Sequence, residues 1–153
     1  MPKHETRPAR PDERLALIEL QRRASLTHEA YRALLLHNPD AIDLPIEHIA
    51  QGGTLVATID AVPAGFAVVI THADGTVELD GLFVEPRWAR MGIGRRLVRE
   101  ACCKARQWGA ATLIVVASPE TQGFYAGCGF VVIGKAKTRF GKAVTMHRHI
   151  ADG

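Results

Sequence analysis

The spacing of apolar residues divides the chain into a helical N-terminal third and a longer part that mixes strands and helices. Residues 3–9 fit a short edge strand, and apolar positions then recur at helical spacing over residues 13–26, with Asp12 as the expected cap. His28–His37 is predicted to form a second helix, and Pro45–Gln51 one or two further helical turns that end before paired glycines.

From Thr54 onward the apolar pattern changes to a period of two, which is typical of strands. The predicted strands are Thr54–Asp60, Phe66–Thr71 and Val77–Val84. A turn is expected at Pro63–Gly65 between the first two strands, and Asp74-Gly75 predicts a hairpin turn before the third.

The C-terminal half alternates helix and strand. Ile93, Leu97, Ala101, Ala105 and Trp108 form one helical stripe, and Gly109 is expected to end that helix. Further elements are predicted in the following order: a strand buried on both faces at Thr112–Ala117, a helix at Pro119–Gly127, and strands at Phe130–Ile133 and Lys142–His149 with Phe140-Gly141 in the turn. Hairpins together with a helical crossover predict one α/β domain over residues 1–153, with a mixed, mostly antiparallel central sheet and flanking helices.

The segment that joins the third strand to the long helix has the pattern of an anion site. The first turn of a helix carries unpaired N–H groups and a partial positive charge, and Gly92 and Gly94 let the backbone approach a ligand closely. Arg90, Arg95 and Arg96 add positive charge. We call residues 89–95 the phosphate cradle; an ordinary strand-to-helix turn is the alternative interpretation.

Two familiar phosphate motifs do not fit the phosphate cradle. A P-loop requires Gly-Lys-Ser/Thr, whereas Gly94 is followed by two arginines. A dinucleotide fingerprint requires a third small residue where Leu97 stands and an acidic residue about twenty positions further on. Magnesium-nucleotide and dinucleotide chemistry are therefore disfavoured.

Residues 82–98 instead resemble the acyl-CoA-binding motif of the GCN5-related N-acetyltransferase (GNAT) superfamily, in which a strand and a proline precede Arg/Gln-x-x-Gly-x-Gly/Ala at a helix start. Residues 118–130, Ser-Pro-Glu-Thr-Gln-Gly-Phe-Tyr-Ala-Gly-Cys-Gly-Phe, are similar to the second motif of that family, Asn-x-x-Ala-x-x-Phe-Tyr-x-x-x-Gly-Phe. The chain departs from the motifs at Ala89, Arg90, Ser118 and Thr121. The resemblance implies a GNAT-like fold, with acetyl-CoA as cosubstrate and no metal.

The resemblance also implies which residues contact the cosubstrate. The strand is expected to separate from its neighbour after Asp80, so that its backbone pairs with the pantetheine arm and the Leu82 N–H polarises the thioester carbonyl. The expected cofactor-binding residues are Leu82, Phe83, Val84, Ala89, Arg90, Met91, Gly92, Ile93, Gly94, Arg95, Ser118 and Tyr125.

Acid and base groups are expected on the same elements. Strand alternation predicts that Glu78, Asp80 and Leu82 share one face, and either carboxylate could take a proton from a substrate ammonium, directly or through water. A solvated strand face or an ion pair with Lys or Arg is the alternative for both acids. By resemblance, Tyr125 is the general acid that protonates the departing thiolate.

Composition and charge exclude some classes of partner and location. A net charge of +3 suits an anionic cofactor but does not indicate nucleic acid, and no apolar run is long enough for a membrane span. Three cysteines without a disulfide pattern favour a cytoplasmic setting. His147 and His149 lack a third ligand at metal-binding spacing.

The sequence therefore predicts an N-acetyltransferase that moves an acetyl group from acetyl-CoA to a primary amine by direct attack in a ternary complex. The alternative is a catalytically silent CoA-binding regulatory or interaction domain. The resemblance to the family is compatible with a homodimer. The sequence does not identify the acceptor amine.

Overall fold

The computed structural model describes residues 2–27 and 29–150, with the backbone alone for residues 29–31. The strands are β1 His4–Pro8, β2 Thr54–Ile59, β3 Val62–Thr71, β4 Val77–Val84, β5 Thr112–Ala117, β6 Val131–Thr138 and β7 Gly141–His149. The helices are α1 Arg14–Leu26, α2 Glu29–His37, α3 Ile46–Ala50, α4 Ile93–Gln107 and α5 Gln122–Gly127. No helix in the described part of the chain is long and apolar enough to cross a membrane.

One mixed sheet organises the fold, and its strand order is β1-β2-β3-β4-β5-β7-β6. Every neighbouring pair is antiparallel except β4 and β5, which are parallel because α4 crosses over between them. These two strands pair only at Val77↔Leu113 and Glu78↔Ile114. Beyond Glu78 the pairing stops, so the strands separate two residues earlier than the expected position after Asp80 and leave a gap in the middle of the sheet.

Each face of the sheet carries its own apolar cluster. On one face α4 buries Ile93, Leu97 and Ala101 against β2–β5, as the predicted stripe requires. On the other face α1 and α3 cover Val56, Phe66 and Val68, with Leu17, Leu20 and Ile49 contributing from the helices. The gap between β4 and β5 is therefore reachable from two chemically different sides.

Several boundaries differ from the sequence predictions. Pro63–Gly65 lies inside β3, and the hairpin turn is Asp60-Ala61, whose φ angles of 50° and 69° suit a two-residue turn. Asp12 does not cap α1, because a single-turn 3-10 helix at Pro11–Glu13 precedes it and Glu13 accepts the Arg10 N–H at 2.8 Å. The start of the second predicted helix at His28 lies outside the described residues.

The C-terminal elements also need correction. β5 is buried on one face only, since Val116 is 39% exposed next to the gap, whereas Leu113, Val115 and Ala117 are buried. The last helix begins at Gln122 rather than Pro119 because Pro119–Thr121 form a turn closed on the Ser118 carbonyl. The final hairpin turns at Arg139-Phe140, and Gly141 is the first residue of β7.

Candidate active site

The phosphate cradle presents a run of unused backbone donors. The N–H groups from Arg90 to Arg95 make no hydrogen bond within the described part of the chain, and the first helical bond of this segment runs from the Arg96 N–H to the Gly92 carbonyl at 3.1 Å. The Ala89 N–H is already used, because it donates to the Pro86 carbonyl. The available donors therefore begin at Arg90, one residue later than the motif suggested.

Glycine is required at two places in the phosphate cradle for different reasons. Gly92 adopts a left-handed conformation with φ of 81°, and this turns successive N–H groups toward one side. Gly94 has ordinary helical geometry, but a Cβ there would lie 3.1 Å from Cζ of Phe124. Close packing at Gly94 thus brings the start of α4 against α5.

The side chains of the phosphate cradle divide into buried and exposed ones. Ile93 is part of the apolar core, so only its backbone can reach a ligand, whereas Met91 is exposed. Arg90 is left-handed with φ of 65°, an unusual conformation for a residue with a side chain. Arg95 donates to the Gly127 carbonyl at 3.2 Å, which ties its guanidinium to the end of α5.

A bulge in β4 changes which face each residue occupies. Val69 pairs with Leu79 and Val68 pairs with Gly81, so Asp80 is the extra residue. Leu79 and Leu82 consequently both pack on the α4 face, while Phe83 joins the opposite cluster. The prediction that Glu78, Asp80 and Leu82 share one face is therefore wrong for Leu82, since an inserted residue reverses the alternation after it.

The backbone of β4 still offers donors to the gap. The Glu85 N–H donates to the Ala64 carbonyl at 2.8 Å, and the pairing register continues to Phe66↔Phe83 and Val68↔Gly81. Because hydrogen-bonded positions alternate along an antiparallel pair, Leu82 and Val84 direct their N–H and C=O groups away from β3. They face the side where β5 has separated from β4.

Glu78 lies where the two strands diverge, and it is already engaged. Its Oε1 is 2.6 Å from Nε2 of His72, and its side chain is 18% exposed. The hydrogen bond to Glu78, together with the nearby charges of Glu78, Asp74 and Asp80, raises the pKa of His72. The ion-pair alternative for Glu78 thus has a partner that the sequence did not suggest, a histidine rather than Lys or Arg.

Asp80 has a different environment from Glu78. It is exposed, it makes no ion pair or hydrogen bond in the described part of the chain, and it lines a cavity on the α1–α3 face. Its carboxylate is therefore available to a ligand that enters from that face.

Tyr125 lies in α5 on the α4 face of the sheet and is 7% exposed. Its ring contacts Phe124 and Phe130 edge to face, with centroid distances of 5.2 and 5.7 Å. Burial raises the pKa of Tyr125 well above its ordinary value, so the hydroxyl stays protonated at neutral and mildly alkaline pH. The group can therefore donate a proton or a hydrogen bond.

Ser118 follows β5, and its hydroxyl is bound locally. Its Oγ lies 3.0 Å from Oγ1 of Thr121, and the Ser118 N–H donates to the same oxygen. These bonds fix the turn that leads into α5, and so they help to position Tyr125.

Three side chains near the candidate site went unnoticed in the sequence. His72 pairs with Glu78, while Gln21 of α1 and His48 of α3 line the same cavity as Asp80. No local motif marks them, because they come from segments far apart in the chain. No group of three or more His, Cys, Asp or Glu residues that could hold a metal ion occurs in the described ranges.

Two parallel strands that separate, a run of N–H groups without partners in the described residues at a helix start, and a buried tyrosine on the same face of the sheet together suit a ligand that carries a phosphate group. The model of the acetyltransferase (GNAT) family matches residues 16–130. The chain therefore belongs to the GNAT family of acetyltransferases, as the two motifs suggested.

The similar proteins are named for different acetyltransferases. The chain is 33% identical over 110 residues to glucosamine 6-phosphate N-acetyltransferase 1 of Oryza sativa subsp. japonica, a match that covers 69% of this chain and 65% of that protein. The PaiA N-acetyltransferase of Thermoplasma acidophilum, solved in complex with coenzyme A, superimposes with a TM-score of 0.78 at 20% identity, covering 96% and 99% of the two chains. The N-acetylglutamate synthase of Neisseria gonorrhoeae, complexed with coenzyme A and N-acetyl-glutamate, superimposes at 0.71 and 22% identity over 97% of this chain and 35% of that one. At these identities the two structures establish the fold alone.

Proposed function

We propose that this protein transfers an acetyl group from acetyl-CoA to a primary amine by direct attack in a ternary complex. The observation that carries the proposal is the run of N–H groups from Arg90 to Arg95, which have no partner in the described residues and lie at the start of α4, the helix that connects β4 to β5. Those donors, together with the positive end of α4, suit the pyrophosphate of the cosubstrate. The residues present therefore fit an acyl-CoA.

The β4 backbone supplies the next contacts. Leu82 and Val84 direct their peptide groups into the gap, where an extended pantetheine arm can pair with them as an added strand. The Leu82 N–H is the donor that would stabilise negative charge developing on the thioester oxygen. This role depends on the backbone of Leu82 only, since its side chain packs on the α4 face.

Asp80 is the group proposed to receive the proton of the substrate ammonium. It is unpaired and lines the cavity on the acceptor side, whereas Glu78 is held by His72. Deprotonation is needed because an alkylammonium has a pKa of about 10 and its nitrogen has no lone pair. The Glu78–His72 pair is close enough to Asp80 for the Asp80 charge to affect the pKa of His72, and we propose that it passes the proton on through water.

Tyr125 is the proposed general acid. As the C–N bond forms and the C–S bond breaks, the electron pair of the broken bond stays on sulfur, and the tyrosine hydroxyl supplies the proton of the free thiol. Exchange with water restores the tyrosine. Its raised pKa keeps the hydroxyl protonated until the transfer but also makes it a weaker acid, so the proton moves only as negative charge develops on sulfur.

Tyr125→Phe tests this assignment, because it removes one oxygen and keeps both ring contacts. Thiol release from acetyl-CoA with an accepted amine should fall about 10²- to 10³-fold in kcat. The dissociation constant of CoA, measured by calorimetry, should stay within about twofold, and the melting temperature should not change.

Three outcomes would contradict the proposal at different levels. Unchanged turnover in Tyr125→Phe would remove the acid role. Failure of the parent protein to bind CoA or acetyl-CoA would refute the transferase. Tight CoA binding without thiol release for any amine would favour a CoA-binding regulatory domain instead.

A further inference from the structure

A small cavity of about 200 Å³ lies on the α1–α3 face of the sheet, beside the bulge of β4. Val68 and Phe83 provide apolar contacts, and the polar side chains around it are Gln21, Asp43, His48 and Asp80. The volume is below the ~300–1,000 Å³ typical of sites for drug-sized ligands. The cavity therefore suits a small metabolite rather than a folded partner.

Two polar groups of this cavity have no partner within the described part of the chain. Gln21 is only 8% exposed and its amide makes no hydrogen bond to a described residue, although the amide atoms are not fully buried. His48 has a fully buried Nδ1 without a partner among the described residues, so the desolvation cost falls on His48. A buried polar group without a hydrogen bond costs about 1–3 kcal/mol, so such groups are normally satisfied by water or by a ligand.

The charges around the cavity favour a cation. The Asp43 carboxylate is balanced by Arg14, whose Nη2 lies 3.1 Å away, whereas Asp80 makes no salt bridge in the described part of the chain and interacts only at longer range with His72, whose pKa it helps to raise. No lysine or arginine lines the cavity there. A phosphate monoester would bring about two negative charges next to Asp43 and Asp80. Arg14 already donates to Asp43 and to the Leu44 carbonyl, so the phosphate would be repelled at short range.

We propose that this cavity binds the acceptor and selects a small, unphosphorylated amine that carries a hydroxyl or amide group. Asp80 holds the ammonium group, and Gln21 and His48 hydrogen-bond the neutral polar group. This assignment rests on the proposed transferase function and goes beyond it by specifying the acceptor. It also separates this chain from its relative named for glucosamine 6-phosphate, whose acceptor is phosphorylated.

Matched acceptor pairs test the proposal directly. Thiol release is measured at saturating acetyl-CoA with glucosamine and glucosamine 6-phosphate, ethanolamine and phosphoethanolamine, serinol and serinol phosphate, and serinamide and O-phosphoserinamide. At least one unphosphorylated amine should be acetylated, with a kcat/KM at least 100-fold above that of its phosphorylated counterpart. A higher kcat/KM for the phosphorylated member of a pair overturns the proposal. It is also overturned if none of the amines is acetylated although calorimetry shows that CoA binds. Failure to bind CoA refutes the transferase itself.

Gln21→Leu tests the cavity independently, because leucine fills similar space without hydrogen-bonding groups. The KM for the accepted amine should rise about 10- to 100-fold, while kcat and the CoA dissociation constant stay within about twofold. Gln107→Leu makes the same chemical change at an exposed position of α4 and should alter none of these values. His48→Phe provides a second variant if Gln21→Leu loses stability. Unchanged KM in both cavity variants overturns the role of the two side chains.

Discussion

The two faces of the sheet present opposite chemistry to the gap between β4 and β5. On the α4 face the ligand-binding groups are main-chain N–H groups at the start of a helix, with arginines nearby. On the α1–α3 face they are side chains, among them the Asp80 carboxylate, which lines the cavity and makes no salt bridge in the described part of the chain. One face therefore suits an anionic cosubstrate and the other a cationic acceptor, with β4 between them.

The two faces also differ in how they are held together. The α4 face depends on apolar packing, since Ile93, Leu97 and Ala101 are buried against the strands. The N-terminal segment leading into α1 relies in addition on a buried charge, because Arg7 donates to both oxygens of Glu13 at 2.7 and 2.8 Å. A change of charge at Glu13 should consequently affect stability and leave the phosphate cradle intact.

Glu13→Gln is the variant with the largest expected effect on stability. Hydrogen bonds and charge from Arg7, with the Arg10 N–H, lower the pKa of Glu13 from 4.5 to about 2, although burial opposes this. Because the folded-state pKa lies below that of the unfolded chain, the stabilisation is present above pH ~4.5 and is lost as pH falls toward 2. The variant should lose roughly 2–3 kcal/mol at pH 7, as measured by urea unfolding, and its stability should depend less on pH between 5 and 2.

CoA affinity provides the control for Glu13→Gln, and it should stay within about twofold under folding conditions. A variant with parental stability at pH 7 would show that the Arg7–Glu13 pair contributes nothing net. A loss of CoA binding in a fully folded variant would show that the two faces are energetically coupled. That result would contradict the claim that the two faces are held together independently.

The same contrast explains which parts of the protein could be predicted from its sequence. The phosphate cradle and α4 are contiguous, and their function needs only glycine, a helix start and an apolar stripe, all of which are visible as spacing. The cavity on the other face combines Gln21, His48 and Asp80 from three separate elements. Nothing in the chain near any one of them specifies that they meet.

The bulge at Asp80 shows a second limit. A strand pattern assumes strict alternation, and Val77–Val84 keeps enough apolar residues to fit it. The extra residue becomes visible only through the partner strand, where Val68 and Val69 face Gly81 and Leu79. Pairing register is a property of two segments together, and so a single segment could not reveal that Leu82 and Glu78 point to opposite faces.

Gly92→Ala and Gly75→Ala form a matched pair that tests the backbone character of the α4 face. Both glycines are left-handed, with φ of 81° and 90°, and a Cβ at either position meets nothing within 4 Å. Each substitution should therefore cost a similar ~1–2 kcal/mol of strain. Only Gly92→Ala should weaken CoA binding, by at least tenfold in calorimetry, because relief of that strain turns neighbouring N–H groups away from the ligand. Equal CoA affinity in the two variants would contradict a backbone-built phosphate cradle.

Arg90 allows the smallest and most specific test, because conformation and charge can be separated there. Its φ of 65° is unfavourable for any residue with a Cβ, so Arg90→Ala keeps the strain and removes the charge, while Arg90→Gly removes both. Both variants should lose CoA affinity by a similar few-fold, since the guanidinium adds to binding that the N–H groups dominate. Thermal unfolding should show that Arg90→Gly is more stable than Arg90→Ala by roughly 0.5–1 kcal/mol. This difference is the strain energy that glycine releases, minus the entropic cost of the greater freedom of glycine in the unfolded chain. A much larger affinity loss in either variant would mean that a side chain, as on the acceptor face, is the main anion-binding group.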